Sequence, residues 1–300
     1  MPGRSLAAFI GAVGATAGCL CACSAASGET ADISIVASTN VYGSVVQQLV
    51  SGLPPGRVSV TAILADASVD PHSYEASPRN ELAISRADLI IENGGGYDGF
   101  VDTLRAAAGA SAPVVNAVQL SGHSHDAELN EHVWYDLATV RRVAQRVTAF
   151  LLARDPRDAP VLRRNAAAFA AGVRRLDGAA ARIRARHGGE GVAITEPVPL
   201  YLLQSCGLVN RTPPEFSQAI EEGTDASPRL LQATLDLFGA HQVRLLVDNE
   251  QTAGPQTDDV IAAARSAGVP VIGVTETLPG DVDYLSWMDG ILHDIAAALS

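Results

Sequence analysis

Residues 158–189 read DAPVLRRNAAAFAAGVRRLDGAAARIRARHGG, with apolar positions that recur every three or four residues. This spacing predicts one amphipathic helix, with Asp158 as its N-cap and Pro160 in its first turn, which ends at Gly188-Gly189. A helix of about 28 residues is roughly 42 Å long at about 1.5 Å per residue. Because that is too long for an ordinary connection between two strands, we interpret it as a rigid helix that joins two lobes.

On both sides of this helix, β-branched runs alternate with amphipathic helical segments. Such alternation is typical of parallel sheets covered by helices. The predicted fold is therefore α/β, with two small parallel-sheet lobes joined by one long rigid helix and a ligand cleft between the lobes. The predicted strands are 33–38, 58–64, 89–92 and 114–118 before the helix, and 192–195, 243–247 and 269–274 after it. The predicted domains are a signal segment 1–23, a tether 24–32, an N-terminal lobe 33–157, a linking helix 158–188 and a C-terminal lobe 189–300.

The composition restricts the classes of function. The 300-residue chain is 47% hydrophobic, which is enough for a sizeable packed core, and its net charge is -12. Nucleic-acid binding needs a basic surface, so an acidic chain argues against that class of partner. The same charge favours the attraction of cations.

The first residues predict export. A mostly apolar run from Leu6 to Cys23 is followed by small polar residues, as in a secretory signal. Leu20-Cys21-Ala22-Cys23 matches the bacterial lipoprotein pattern, in which a small residue precedes an acylated Cys. We expect lipidation at Cys23, with Cys19 as the alternative, and an uncleaved anchor helix as the alternative to a signal. The body, whose one remaining thiol is Cys206, is then extracytoplasmic, and we interpret Cys206 as a buried small hydrophobe.

Four side chains that can bind metal follow predicted strands or the loops after them. They are His72, His132, Glu196 and Glu276. Each by itself is typical of a solvated loop or a helix cap, and we expect His132 to lie at the end of an element, outside the core. Open α/β sheets, however, gather their strand ends at one crevice. The four together therefore predict one metal site between the lobes.

The donor types restrict the metal. Two neutral imidazoles and two carboxylates carry a charge of about -2, which suits a divalent cation, and their nitrogen and oxygen atoms suit Mn²⁺ or Zn²⁺. Carboxylates can raise the coordination number, which favours Mn²⁺, whereas the usual order of affinities favours Zn²⁺. The sequence leaves Zn²⁺, Mn²⁺ and Fe²⁺ open.

Three stretches of the sequence are distinctive, namely Asp70-Pro71-His72-Ser73-Tyr74-Glu75-Ala76-Ser77-Pro78, Asn130-Glu131-His132-Val133-Trp134 and the run from Val269 to Pro279. They resemble motifs of the zinc and manganese solute-binding lipoproteins of ABC transporters. The resemblance covers about Ile33 to Leu299 and implies two lobes joined by a long helix, with metal between them.

Carried over residue by residue, the resemblance assigns all four candidate ligands. His72 and His132 match the two histidine ligands of the N-terminal lobe. Glu196 falls where manganese-type members have Glu, and Glu276 falls near the fourth ligand, with Asp248 and Glu250 as alternatives.

The resemblance also implies a function. The chain is expected to be the monomeric, lipid-anchored, extracytoplasmic component of a metal ABC importer. It would bind Zn²⁺ or Mn²⁺ as cargo and deliver it to a membrane permease. It is then not an enzyme. The alternatives are a metal-dependent hydrolase that uses the same residues and a surface adhesin.

Overall fold

Eight short strands form two separate four-stranded sheets in the computed structural model, which describes residues 1, 3, 32–65, 74, 77–126 and 129–300. All pairings are parallel, and the orders β2-β1-β3-β4 and β6-β5-β7-β8 are the same in both sheets. The predicted α/β class is confirmed. The strands are β1 Ile33–Thr39, β2 Val58–Leu64, β3 Leu89–Glu92, β4 Val114–Asn116, β5 Gly191–Ile194, β6 Val209–Asn210, β7 Leu246–Asn249 and β8 Val271–Val274.

Helices cover both sheets and connect them. The long helix, α6, has 29 residues, as its spacing predicts, although Asp158 makes no side-chain capping bond. Asp136, by contrast, accepts hydrogen bonds from two backbone amides and caps α5. The helices are α1 Asn40–Val50, α2 Pro78–Ser85, α3 Phe100–Ala108, α4 Ala117–Ser121, α5 Leu137–Arg154, α6 Ala159–His187, α7 Leu200–Ser205, α8 Pro214–Glu221, α9 Pro228–Gly239, α10 Pro255–Ser266 and α11 Tyr284–Ala298.

Several predicted strands have different bounds in the structure, and specific contacts explain two of these changes. The strand predicted over 114–118 ends at Asn116, because the Asn116 side chain accepts the Gln119 amide and begins α4. The strand predicted over 243–247 is shifted to Leu246–Asn249. Its last two residues are polar and break the apolar pattern, yet pairing with Gly273 and Val274 of β8 keeps them extended. The shift places Asn249 at the strand end.

The main hydrophobic core includes residues from both halves and from the inner face of α6. Phe169, Val173 and Leu176 of α6 are buried in it together with Tyr284 of α11. Two smaller cores lie under the outer helices of each half. Residues 31–300 therefore fold as one compact unit around the long helix.

Cys206 is fully buried, in agreement with the interpretation of it as a small hydrophobe, and burial raises the pKa of its thiol to about 11. Cys19 and Cys23 lie outside the described residues. In the described part of the chain no helix combines the length and the apolar character needed to cross a membrane.

Candidate metal centre

Three strands of the second sheet present polar side chains at their carboxyl ends. Glu196 follows β5 by two residues, Glu276 follows β8 by two residues, and Asn249 is the last residue of β7, between these two strands in the sheet. Asn249 Nδ2 donates to Glu196 Oε2 at 2.8 Å and to Glu276 Oε1 at 3.0 Å. One amide group thus holds two buried carboxylates side by side.

His132 approaches these carboxylates from the first half of the chain. It precedes the short 3-10 helix Val133–Tyr135, and its Nε2 lies 4.0 Å from Glu276 Oε2. The imidazole is 0% exposed and packs against the rings of Tyr97 and Trp134, with centroid separations of 6.0 and 5.0 Å. The expectation that His132 lies outside the core is therefore wrong, because these aromatic rings enclose it.

Asn130 fixes the orientation of His132. Its Oδ1 accepts from the His132 Nδ1 at 2.7 Å, and its Nδ2 donates to the Pro197 carbonyl at 2.9 Å. An amide oxygen can only accept, so Nδ1 carries the proton and, in the neutral ring, Nε2 presents its lone pair to the carboxylates. Second-sphere partners of this kind are typical of histidines that bind metal through the other nitrogen.

A further carboxylate joins the cluster from α8, which the sequence pattern did not predict. Glu221 is the last residue of α8, and its Oε1 lies 3.5 Å from His132 Nε2. Burial, followed by the charges of Glu131, Glu196 and Glu276, raises the pKa of Glu221 to about 8. Glu221 lies at the end of a helix, so a pattern of donors that follow strands does not include it.

The structure separates the two alternative fourth ligands from the cluster. Side chains alternate along a strand, so Asp248 and Glu250 face away from Asn249. Asp248 hydrogen-bonds to the Thr195 side chain. The Glu250 carboxylate covers Gly273, where an added Cβ would lie 2.1 Å from Glu250 Oε1. Of the three candidates, Glu276 is the one within ion-pair distance of His132.

The structure thus brings His132, Glu196 and Glu276 together with Asn249 and Glu221. His72 lies outside the described residues. Within 32–65, 74, 77–126 and 129–300, no group of three or more His, Cys, Asp and Glu side chains is already arranged to hold an ion. The chemistry of the set, imidazole nitrogen and buried carboxylate oxygen, is nevertheless that of a divalent-cation site.

We expect Asn249→Ala to weaken metal affinity about 10- to 100-fold, the usual effect of losing a second-sphere partner. Without the amide, the Glu196 and Glu276 carboxylates repel each other and lose their common orientation. Competitive titration with a chromogenic chelator would measure the change. Asn165→Ala, on α6, is the matched control, and unchanged affinity in Asn249→Ala would contradict the positioning role.

Asp248 gives a prediction for the pH dependence of stability. Burial raises the pKa of its carboxyl from 3.8 to about 6. Because the folded state binds this proton more tightly than the unfolded state, the free energy of unfolding falls as pH rises from about 4 to about 6. Asp248→Asn should therefore raise metal-free stability above pH 6 and flatten this part of the profile in urea titrations. A steeper profile would contradict the assignment.

Two parallel sheets joined by a long helix, with histidine and carboxylates converging from both halves, define the class of substrate-binding proteins of metal ABC transporters. The chain belongs to the family described as ZnuA, zinc-uptake complex component A, periplasmic, whose model matches residues 35–298. The resemblance found in the sequence is confirmed.

Individual relatives are distant. The chain is 26% identical over 172 residues to the manganese ABC transporter substrate-binding lipoprotein PsaA of Streptococcus pneumoniae, covering 53% of this chain and 54% of PsaA. The chain thus spans about half the length of the curated relatives it matches. Among solved structures, ZnuA superposes with a TM-score of 0.71 at 22% identity, covering 89% of this chain and 99% of that one. The periplasmic zinc-binding protein TroA of Treponema pallidum gives 0.73 at 18% identity, with the same coverage.

Proposed function

We propose that this protein is the extracytoplasmic solute-binding component of a metal ABC importer. It binds Mn²⁺ or Zn²⁺ between its two lobes through His72, His132, Glu196 and Glu276. It is a monomer, is anchored to the cell membrane through acylated Cys23, and delivers the ion to a permease. The observation that carries the proposal is the meeting of His132 with Glu196 and Glu276, which come from opposite halves of the chain.

The charges and donors support a divalent cation as the cargo. The carboxylates that surround His132 are buried, and burying like charges together is costly unless a cation neutralises them. Nitrogen and oxygen donors without thiolate suit Mn²⁺ and Zn²⁺. PsaA is named for manganese and TroA for zinc, so the relatives support both ions.

Release of the ion requires that the lobes separate the donors. The loops that carry the carboxylates are hydrogen-bonded to the first half of the chain: Tyr135 donates to the Thr275 carbonyl at 2.7 Å, and Asn130 donates to the Pro197 carbonyl at 2.9 Å. Because the long helix restrains the lobes, we propose that a modest shift of these loops opens the site. The segments that carry the metal-binding side chains need not unfold for this shift.

The stabilisation of the folded state by bound metal tests the proposal. A ligand at about 100 times its dissociation constant stabilises the folded state by about 2.7 kcal/mol. For a domain of this size each kcal/mol raises the melting temperature by about 2–4 °C, so we expect a rise of roughly 5–10 °C with Mn²⁺ or Zn²⁺. Differential scanning calorimetry on metal-free protein, with Mg²⁺ as the control, would measure it. No shift with either ion at saturation would refute the proposed function.

The alternatives have weaker support. A metallohydrolase needs an open coordination position and a separate general base, whereas we assign the converging carboxylates to metal binding, so we propose no enzymatic role. An adhesin would be favoured by an extended apolar surface. The large hydrophobic side chains exposed in the described residues are few, namely Met1, Leu82, Val209 and Val282.

A further inference from the structure

We propose that Glu221 is an additional ligand of the bound cation and that it shifts the selectivity of the site towards Mn²⁺ relative to Zn²⁺. The inference rests on the proposed function of the same site. It goes further by adding a donor from α8 that the strand-end pattern does not contain.

The position of Glu221 supports a role as a ligand. Its side chain is 13% exposed, whereas the next residue, Glu222, is exposed to solvent. Glu221 Oε1 is buried, and within the described residues it accepts no hydrogen bond. Its 3.5 Å separation from His132 Nε2 exceeds the usual length of an N–H···O hydrogen bond. In the neutral imidazole, two electron-pair donors therefore face each other across this gap.

The spacing of the donors fits a shared ion. Two donors that are each about 2.1 Å from one ion lie about 3.0 Å apart at a right angle, about 3.4 Å apart at the tetrahedral angle and about 4.2 Å apart when opposite. His132 Nε2 lies 3.5 Å from Glu221 Oε1 and 4.0 Å from Glu276 Oε2. Both separations fall within this span, so each carboxylate oxygen lies at a distance from His132 Nε2 that is compatible with a shared cation.

The number and type of donors connect Glu221 to selectivity. Zn²⁺ is usually satisfied by four ligands in a tetrahedron, so an added carboxylate contributes little to its binding. Mn²⁺ favours carboxylate oxygen and a higher coordination number, so it uses the added donor. Intrinsic affinities favour Zn²⁺ at most sites. Glu221 thus reduces the difference in affinity between Zn²⁺ and Mn²⁺.

Competitive titrations of Mn²⁺ and Zn²⁺ on wild type, Glu221→Gln and Glu222→Gln would test the proposal. Gln preserves the shape of the side chain and removes its charge, and Glu222 supplies the same change one residue away on the surface. We expect Glu221→Gln to weaken Mn²⁺ binding about 10- to 100-fold and Zn²⁺ binding less than about 5-fold. Glu222→Gln should bind both ions as the wild type does.

The visible spectrum of bound Co²⁺ reports the coordination number directly. Wild type should give the weak bands of five- or six-coordinate Co²⁺, and Glu221→Gln should give stronger bands as the coordination number falls. Unchanged Mn²⁺ affinity in Glu221→Gln, equal losses for both ions, or intense four-coordinate bands in the wild type would each overturn the proposal. Intense four-coordinate bands in the wild type would overturn the proposal even if Glu221→Gln does not fold. If neither wild type nor Glu222→Gln binds either ion, the proposed function itself is refuted.

Discussion

His132→Ala should abolish tight binding of both Mn²⁺ and Zn²⁺, with a loss of affinity of at least about 100-fold. Structural zinc sites with four ligands contribute about 10–16 kcal/mol, so one ligand accounts for several kcal/mol, and each 1.4 kcal/mol is a factor of about ten. His132 also supplies the nitrogen that Asn130 orients towards the carboxylates. Isothermal titration calorimetry on metal-free protein would measure the loss.

Two controls separate the loss of a ligand from the loss of structure. His293→Ala, at an exposed position on α11, removes an imidazole that is not among the proposed ligands, and this variant should bind metal as the wild type does. Because His132 is enclosed by Tyr97 and Trp134, its removal also leaves a cavity. Metal-free His132→Ala should therefore melt somewhat below the wild type but still cooperatively. Wild-type affinity in a folded variant would remove His132 from the site.

Tyr284→Ala should cause the largest loss of stability among these variants, about 3–5 kcal/mol in the free energy of unfolding. The Tyr284 ring is fully buried at the start of α11 and packs near Phe169 of the long helix. Its hydroxyl donates to the Trp134 carbonyl at 2.8 Å, and its backbone amide donates to Ser44 Oγ at 3.0 Å. One residue thus joins the last helix to the first half of the chain.

Tyr284→Phe separates packing from hydrogen bonding. It keeps the ring and loses the hydroxyl, so it should cost about 1–3 kcal/mol, because the buried Trp134 carbonyl then lacks that donor. Urea titration of both variants without metal would measure the two effects. Equal stability of Tyr284→Ala and wild type would mean that α11 does not hold the two halves together.

Tyr284→Phe should have only a small effect on metal affinity, although it lowers the free energy of unfolding. The Trp134 carbonyl lies two residues after His132, so Tyr284→Phe changes the backbone support of the ligand without removing a donor. We expect a change in affinity of less than about 10-fold, the low end of the range for indirect support of a ligand. Titration of the folded variant beside His132→Ala would distinguish support from ligation.

Several features of the candidate site could be predicted from the sequence because they follow from local patterns. Glu196 and Glu276 each end a β-branched run, and parallel strands bring such ends to one edge of a sheet. The motif Asn130-Glu131-His132 likewise predicted that His132 joins these carboxylates from the first half of the chain. The assignment of metal ligation to these residues stays a prediction, as do the roles of His72 and Cys23, which lie outside the described residues.

Other features depended on contacts that no local pattern contains. Asn249 was not predicted because polar residues end the apolar run at Val247, whereas pairing with β8 extends the strand to Asn249. Glu221 lies at the end of a helix that the spacing did not predict, and only packing places it beside His132. The burial of His132 likewise depends on Tyr97, which is distant in sequence.

The sequence by itself determined the α/β class, the long helix and the family, because apolar periodicity and short motifs are properties of neighbouring residues. The tertiary structure decided which carboxylates face the imidazole, which amide orients them, and that a carboxylate from α8 joins them. These facts depend on strand pairing, which joins Asn249 to Glu196, 53 residues away in the chain. They also depend on packing that brings His132 to Glu221 and Glu276 from the other half of the chain. Free energy gained by burial in one common core, and not local propensity, fixes such long-range geometry.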